Sequence, residues 1–161
     1  MKKIKFLLLI TFLFSSILTF SNELNKVIEN EVPARRESLQ DEIMNKDIVL
    51  LKFFKSTWPY CLDEVSSLGD FKIKNPNVAV IFVANSKNSA SEQKFAKDSQ
   101  LDQMFYIVYD SAQVLTKNFN IVAVPSAVIL DKSGKILGMS RGKKDWNKVT
   151  VEMLKKGKFS Q

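Results

Sequence analysis

A chain of 161 residues, 45% hydrophobic and 25% charged, is long enough for one globular domain with a substantial core. It contains no histidine, which excludes histidine-ligated zinc sites, Ser-His-Asp triads and Cys-His proteases. The net charge is +7, but acids lie between the late lysines and no nucleic-acid motif accompanies them, so we predict no nucleic-acid partner.

The first 21 residues have the pattern of a secretory signal peptide. Three lysines precede an apolar run over residues 6–14, and Thr19 and Ser21 place small residues at the minus-three and minus-one positions of a cleavage site. We therefore predict a mature chain that begins near Asn22 and is periplasmic or secreted. The alternative is an uncleaved membrane anchor, although the run is short for a membrane span. Only in that case would the protein contact the membrane.

Residues 22–45 are polar and form a lead-in to a single predicted domain over residues 46–158. Pro33 interrupts any long helix in this lead-in. A short helix or irregular structure is therefore expected there.

The stretch that follows holds the only cysteine of the chain. The apolar run Ile48–Phe54 predicts a buried strand, and Pro59 is suited to the first turn of a helix. Apolar residues then recur at helical spacing, at Leu62, Val65 and Leu68. The pattern predicts a strand, a tight loop and a helix with Cys61 in its first turn.

A cysteine in the first turn of a helix has a physical reason to be reactive. Unpaired backbone N–H groups and the positive end of the helix dipole favour the thiolate, whereas burial raises the thiol pKa. Because free cysteine is among the most buried residue types, Cys61 could also be an inert core residue. The sequence leaves both interpretations open.

The middle of the chain alternates predicted strands and helices. Apolar, β-branched Val78–Val83 predicts a strand covered on both faces, and Ser89–Ser99 predicts a helix with a serine cap. A short strand is expected within Met104–Tyr109. Asp110 is placed to cap a helix over Ser111–Asn118.

The last third of the chain predicts an antiparallel hairpin and a closing helix. Strands over Ser126–Leu130 and Lys135–Met139 flank a four-residue loop that ends in glycine. Lys144–Lys156 is expected to form one helix, stopped by Gly157. The sum is an α/β fold, with a central mixed sheet and helices on both faces.

Two of these segments resemble the thioredoxin superfamily, in particular its TlpA-like extracytoplasmic thiol-disulfide oxidoreductases. Residues 53–57, Phe-Phe-Lys-Ser-Thr, are similar to that branch's strand end and loop, and Trp58-Pro59-Tyr60-Cys61 aligns with its Cys-x-x-Cys. Glu64 falls on the family glutamate. Residues 124–131 and the Asp-x-x-Gly loop resemble the cis-proline strand and its hairpin. The resemblance implies a thioredoxin-like fold over residues 46–158.

The chain departs from the family pattern at one position. Trp58 stands where the family has its first, attacking cysteine. A deletion after Trp58 is the alternative alignment, and it also leaves one cysteine. Disulfide exchange in this family needs one thiolate to attack and a second to resolve the mixed disulfide. The resemblance therefore implies, at most, single-thiol redox chemistry at Cys61.

The resemblance also implies which residues form the site. Cys61 and Glu64 would be catalytic, with Glu64 either relaying protons or lying solvated on the helix surface. A substrate-binding groove would be formed by Trp58, Pro59, Tyr60, Val124 and Pro125. Pro125 would be cis, the alternative being an ordinary turn proline, and Trp58 would either contact partners or plug the vacated site.

Three functions remain compatible with the sequence. The first is single-thiol chemistry with protein or peptide thiols and disulfides in the cell envelope. The second is a non-catalytic module that holds a peptide or protein in the cis-proline groove. The third is an inactivated copy. A monomer with no metal and no cofactor is expected in each case.

Overall fold

The computed structural model describes residues 39–43 and 45–159. The predicted signal peptide and most of the lead-in lie outside these residues, although residues 39–43 are helical. The described part of the chain contains a five-stranded sheet with the strand order β3-β2-β1-β4-β5. Its strands are β1 (Ile48–Phe54), β2 (Val78–Ala84), β3 (Tyr106–Tyr109), β4 (Ser126–Asp131) and β5 (Ile136–Arg141).

The sheet is mixed, as predicted. Strands β1, β2 and β3 run parallel, while β4 pairs antiparallel with both β1 and β5. Every residue of β1 and of β2 is buried, which fits the continuous apolar runs in the sequence. The thioredoxin-like, α/β architecture predicted from the sequence is confirmed.

Helices cover both faces of the sheet. They are α1 (Val65–Lys74), α2 (Ser89–Asp98), α3 (Leu101–Met104), α4 (Val114–Asn118) and α5 (Val151–Lys155), with 3-10 turns at Pro59–Cys61 and Trp146–Lys148. None of the helices in the described residues is long and apolar enough to cross a membrane.

Side chains alternate along β1 into two separate cores. Leu50 and Phe54 belong to the first core, which also contains Cys61, Phe71 and Trp146. The second core lies on the opposite face and includes Leu51, Phe53, Leu115 and Phe119. The first core is the one that surrounds the cysteine.

Two predicted helices were wrong in their extent. The helix expected to begin at Pro59 begins instead at Val65, so Cys61 lies in a separate 3-10 turn that precedes it. The closing helix is divided because Val149 is extended and the Thr150 side chain caps a new helix. Gly157, at φ +65°, ends that helix as expected.

Two predicted caps had different outcomes. The cap of α2 is Asn88 rather than a serine, because its side-chain oxygen accepts the backbone N–H of Ser91. Asp110 is not the N-cap residue of α4, which is Gln113; the helix begins at Val114, three residues later than predicted, but the Asp110 side chain still bonds to its first turn. The Asp110 carboxylate accepts the backbone N–H groups of Leu115 and Thr116.

Candidate functional site

The antiparallel pairing of β1 and β4 brings the two sequence motifs to one edge of the sheet. Phe53 pairs with Ser126, so the end of β1 lies beside Pro125, which precedes β4. The chain leaves β1 there and enters the turn that carries Cys61. The Val124–Pro125 peptide bond is cis, as predicted. The cysteine turn and the cis-proline thus come from neighbouring strand ends.

Residues 142–146, here called the linking segment, form hydrogen bonds both to Pro125 and to the residues that follow the cysteine turn. The backbone N–H of Gly142 donates to the carbonyl oxygen of Pro125 at 2.8 Å. The Lys143 ammonium donates to the Asp63 carboxylate, also at 2.8 Å. The segment therefore bonds to the proline strand on one side and to the stretch after the cysteine on the other. No pattern in the sequence indicated this role.

Cys61 is buried, with 2% of its surface exposed. Its backbone N–H donates to the carbonyl oxygen of Trp58 at 3.1 Å, which closes the 3-10 turn. Burial raises the pKa of the Cys61 thiol, while a backbone N–H from Lys55 and the charge of Lys52 lower it. Of the two opposing effects on the Cys61 pKa that the sequence left open, the helix dipole and burial, burial is the larger. Since Cys61 is not in the first turn of α1, the dipole argument for a reactive thiol loses its basis.

Glu64 is completely buried, so its interpretation as a solvated helix residue was wrong. Its Oε1 atom accepts the backbone N–H of Lys144 at 2.9 Å and the indole N–H of Trp146 at 3.0 Å. Its Oε2 atom lies 2.5 Å from the Lys52 ammonium. Glu64, three residues after Cys61, thus connects the stretch that follows the cysteine turn to β1 and to the linking segment. A role in proton relay stays a prediction.

Lys52 is a residue of this site that sequence reasoning missed. It lies within the apolar run of β1, yet its side chain is only 1% exposed. Besides the ion pair with Glu64, its ammonium lies 5.6 Å from the centroid of the Trp146 ring. Burial lowers the pKa of Lys52, and Glu64 acts against that shift. The available signal was a lone charge inside a strand predicted to be buried.

A second missed contact fixes the loop between β1 and the cysteine turn. Glu92, in the first turn of α2, is 1% exposed. Its carboxylate accepts the backbone N–H of Ser56 at 3.0 Å and the Ser56 hydroxyl at 2.9 Å. The backbone N–H of the preceding residue, Lys55, lowers the pKa of the Cys61 thiol. Glu92 therefore fixes the loop next to the residue that supplies this N–H.

Aromatic side chains form the exposed rim of the site. Trp58 is 48% exposed and Tyr60 is 57% exposed, with their ring centroids 6.2 Å apart. Pro59, between them, is also exposed. Val124 is partly buried and packs against both cores. Trp58 is half exposed, so both of its alternatives, contact with partners and plugging of the vacated site, stay predictions.

The chemistry available at this site is that of one thiol. The described residues contain no group of three or more side chains placed to hold a metal ion. The ionisable neighbours of Cys61 are Lys52, Glu64 and Glu92. The site contains one buried thiol, whose pKa depends on the neighbouring charges, and an exposed aromatic rim formed by Trp58 and Tyr60.

Comparisons with known proteins agree with this geometry. A family model described as thioredoxin-like matches residues 45–136. The search of curated proteins finds no match. Among known structures, StoA from Bacillus subtilis is 27% identical, with a TM-score of 0.55, and the match covers 63% of this chain and 79% of StoA.

Two further structures have the same fold. A putative thioredoxin from Neisseria meningitidis is 26% identical, with a TM-score of 0.54 and coverage of 67% of this chain and 72% of that one. A putative thiol:disulfide interchange protein DsbE from Chlorobium tepidum is 19% identical, with a TM-score of 0.58 and coverage of 72% and 81%. The family model spans more than half of the sequence, and the chain therefore belongs to the thioredoxin-like family.

Proposed function

We propose that this protein is an extracytoplasmic relative of the thiol-disulfide oxidoreductases whose redox chemistry is limited to the single thiol of Cys61. The observation that supports the proposal is the pairing of Phe53 with Ser126: the chain continues from the end of β1 into the cysteine turn, and Pro125 immediately precedes Ser126. An extended peptide along that edge would meet the cysteine turn and the backbone of Val124 together.

The proposed reaction is one step of thiol-disulfide exchange. The Cys61 thiolate attacks one sulfur of a partner disulfide, that S–S bond breaks, and the other half leaves as a thiolate. The product is a mixed disulfide between Cys61 and the partner. A free thiol outside this chain must then release it, because the chain has no second cysteine. The partners would be protein or peptide thiols and disulfides of the cell envelope.

The test uses oxidised glutathione as the disulfide and intact-mass spectrometry as the readout. The purified, reduced protein is expected to gain one glutathione, which dithiothreitol removes. Cys61→Ala is the matched control and should gain none. Burial predicts that the adduct forms more slowly than with the urea-unfolded chain, which exposes the same thiol. If the folded protein forms no adduct while the unfolded chain does, the single-thiol function is ruled out.

A second candidate is a non-catalytic module, and one observation favours it. The sulfur is buried, whereas Trp58 and Tyr60 are about half exposed beside it. Exposed aromatics of this kind are common anchors for a partner chain. A module of this kind would bind an extended polypeptide without using Cys61.

These two functions can be separated with a carboxymethylated, unfolded protein that has no free thiols. Isothermal titration calorimetry measures binding, since the readout must also serve Trp58→Ala, which lacks the exposed tryptophan. The binding module predicts equal affinity for the wild type and for Cys61→Ala, and weaker affinity for Trp58→Ala. The absence of saturable binding, or binding that Trp58→Ala does not weaken, would count against it.

The location rests on the sequence pattern of residues 1–21. We propose that the protein is exported and cleaved near Asn22. Expression with the native N-terminus in a bacterium, followed by fractionation and intact-mass measurement, tests this directly. A periplasmic product that begins near Asn22 is expected. A membrane-bound product of full mass would instead identify an uncleaved anchor.

A further inference from the structure

A groove of about 420 Å³ lies at the edge of the sheet opposite the cysteine turn. Lys46 and Val78, which line it, stand at the amino ends of the parallel strands β1 and β2, whereas the cysteine turn follows the carboxyl end of β1. Buried Phe105 lines the same groove. The groove is therefore separate from the candidate site.

Two exposed apolar side chains line this groove. Ile73, in the last turn of α1, is 80% exposed, and Met104, the last residue of α3, is 45% exposed. The Met104 methyl group lies against Gly69, one turn before Ile73, because a Cβ at Gly69 would be 3.0 Å from it. Exposed apolar surface of this kind marks a place where another segment can bind.

Two lysine ammonium groups are held at the same groove by carbonyl oxygens. Lys46 donates to the carbonyl oxygen of Pro76 at 2.7 Å, and Lys72 donates to that of Met104 at 3.2 Å. Within the described part of the chain, neither ammonium forms an ion pair. Among the described lining residues, Glu42 supplies one carboxylate against these two cations. An apolar occupant with negative charge therefore fits the groove.

The sequence on the N-terminal side of the described residues contains a segment with this chemistry. Within residues 22–32, Leu24, Val27 and Ile28 recur at helical spacing. The same residues include three glutamates and one lysine, so the net charge of the segment is −2. An amphipathic segment with an apolar stripe is suited to an apolar groove.

The segment is also close enough to reach the groove. Residues 33–38 separate it from Leu39, the first residue that the structure describes. These six residues span up to about 20 Å when extended. Glu42, three residues after Leu39, lines the groove itself. A tether this short gives an effective concentration on the order of 1 mM, so a weak intrinsic affinity is sufficient for binding.

We propose that residues 22–32 bind in this groove, with their apolar side chains against Ile73 and Met104 and their glutamates beside Lys46 and Lys72. The inference goes beyond the proposed function, because it assigns a second binding surface and names its occupant. Binding there leaves the opposite edge of the sheet, with the cysteine turn, open to a partner polypeptide.

Zero-length cross-linking of the purified wild type tests the contact. A carbodiimide joins a carboxylate to an amine as an amide, with loss of water, only where the two groups touch. Digests of the monomer should contain a link between residues 22–32 and Lys46 or Lys72. The exposed ion pair of Lys143 with Asp63, at 2.8 Å, is the internal positive control. A control link without a link from the segment to either lysine, or segment links found only in covalent dimers, would overturn the proposal.

Oxidation of Met104 measures how well the groove is covered. Hydrogen peroxide transfers one oxygen atom to the methionine sulfur and leaves as water, and peptide mass spectrometry follows the sulfoxide. With an effective concentration of about 1 mM and a dissociation constant of about 0.1 mM, binding slows oxidation about tenfold. Leu24→Asp/Ile28→Asp should therefore speed Met104 oxidation by that factor. Asn25→Ala/Asn30→Ala, which spares the apolar positions of the same segment, is the matched control and should not change the rate.

The oxidation experiment has an internal reference and a rescue. Met139, partly buried on β5, should oxidise at an unchanged rate in both variants. If its rate rises too, the variant has unfolded and the wild-type cross-link decides. A synthetic peptide of residues 22–32 at about 1 mM should restore slow Met104 oxidation in Leu24→Asp/Ile28→Asp, and a scrambled peptide should not.

Three results would assign the groove differently and overturn the proposal. The first is a Met104 rate that Leu24→Asp/Ile28→Asp leaves unchanged. The second is protection of Met104 that grows with protein concentration, which indicates a second copy of the chain. The third is protection that appears only with vesicles of phosphatidylglycerol and phosphatidylethanolamine, which indicates a membrane surface. Neither experiment uses the thiol of Cys61, so the single-thiol proposal stands or falls separately.

Discussion

The backbone N–H of Gly142 donates to the carbonyl oxygen of Pro125, with 2.8 Å between nitrogen and oxygen. Two residues later in the linking segment, the N–H of Lys144 donates to Glu64. The proline strand and the cysteine segment are therefore joined by bonds that do not belong to the sheet. Gly142 makes this path with φ at +77°, a conformation that L side chains rarely adopt.

Gly142→Ala should lower the free energy of unfolding by about 1–2 kcal/mol, because a Cβ is disfavoured at this positive φ. A Cβ at this position would meet no other atom within 4 Å, so the loss would come from the backbone rather than from a clash. Urea unfolding at equilibrium measures it. Gly142→Asn is the matched control, with a smaller loss, since asparagine tolerates this region better. Equal stability of Gly142→Ala and the wild type would contradict the prediction.

Glu92→Ala should destabilise the protein by about 1–3 kcal/mol, because it leaves the backbone N–H and hydroxyl of Ser56 without their acceptor. Ser56→Ala removes only the hydroxyl bond and should cost less, about 1 kcal/mol. Urea unfolding of both variants provides the comparison. A larger loss in Ser56→Ala than in Glu92→Ala would show that the Glu92 carboxylate is not the group that fixes this loop.

Strands β1 and β2 could be predicted from the sequence because each is a short, almost wholly apolar run. Ile48–Phe54 is a strand with the predicted bounds, and Val78–Ala84 extends its prediction by one residue. Helix bounds were less predictable because they depend on local capping. Thr150 is polar and exposed, and only its hydrogen bond to the Met153 N–H shows that a new helix begins there.

Site residues that belong to a sequence motif could be predicted. Site residues that are defined only by tertiary contacts could not. Trp58, Cys61 and Pro125 follow from two short motifs. Lys52 and Glu92 do not, because their partners lie 12 and 36 residues away in sequence. A lone charge in a buried strand signals that a partner exists. It does not identify that partner.

The burial of Cys61 predicts how the stability of the protein depends on pH. Burial raises the pKa of the folded thiol above that of the unfolded chain, which is about 8.5. As the pH rises through that value, the unfolded chain releases its proton first, so the contribution of this group to stability is complete below it and is lost above it.

The wild type should therefore lose more stability than Cys61→Ala as the pH rises above about 8.5, by up to about 1.4 kcal/mol per pH unit. Comparing the two proteins isolates the thiol from the lysines, which titrate in both. Urea midpoints measured from neutral to alkaline pH test this. Parallel pH profiles would show that the pKa of Cys61 does not differ between the folded and unfolded states.

Trp58→Cys should create a dithiol site with measurable disulfide reductase activity. Residues three apart lie on the same side of a 3-10 turn, and the Cys61 N–H already bonds to the Trp58 carbonyl oxygen. A cysteine at position 58 would occupy a half-exposed position and could attack, while the buried Cys61 could resolve. We expect insulin reduction driven by dithiothreitol to rise about tenfold or more above the wild type. Trp58→Ser, which removes the ring without adding sulfur, should show no gain. Equal activity of the two variants, both folded, would mean that the rest of the site no longer supports exchange.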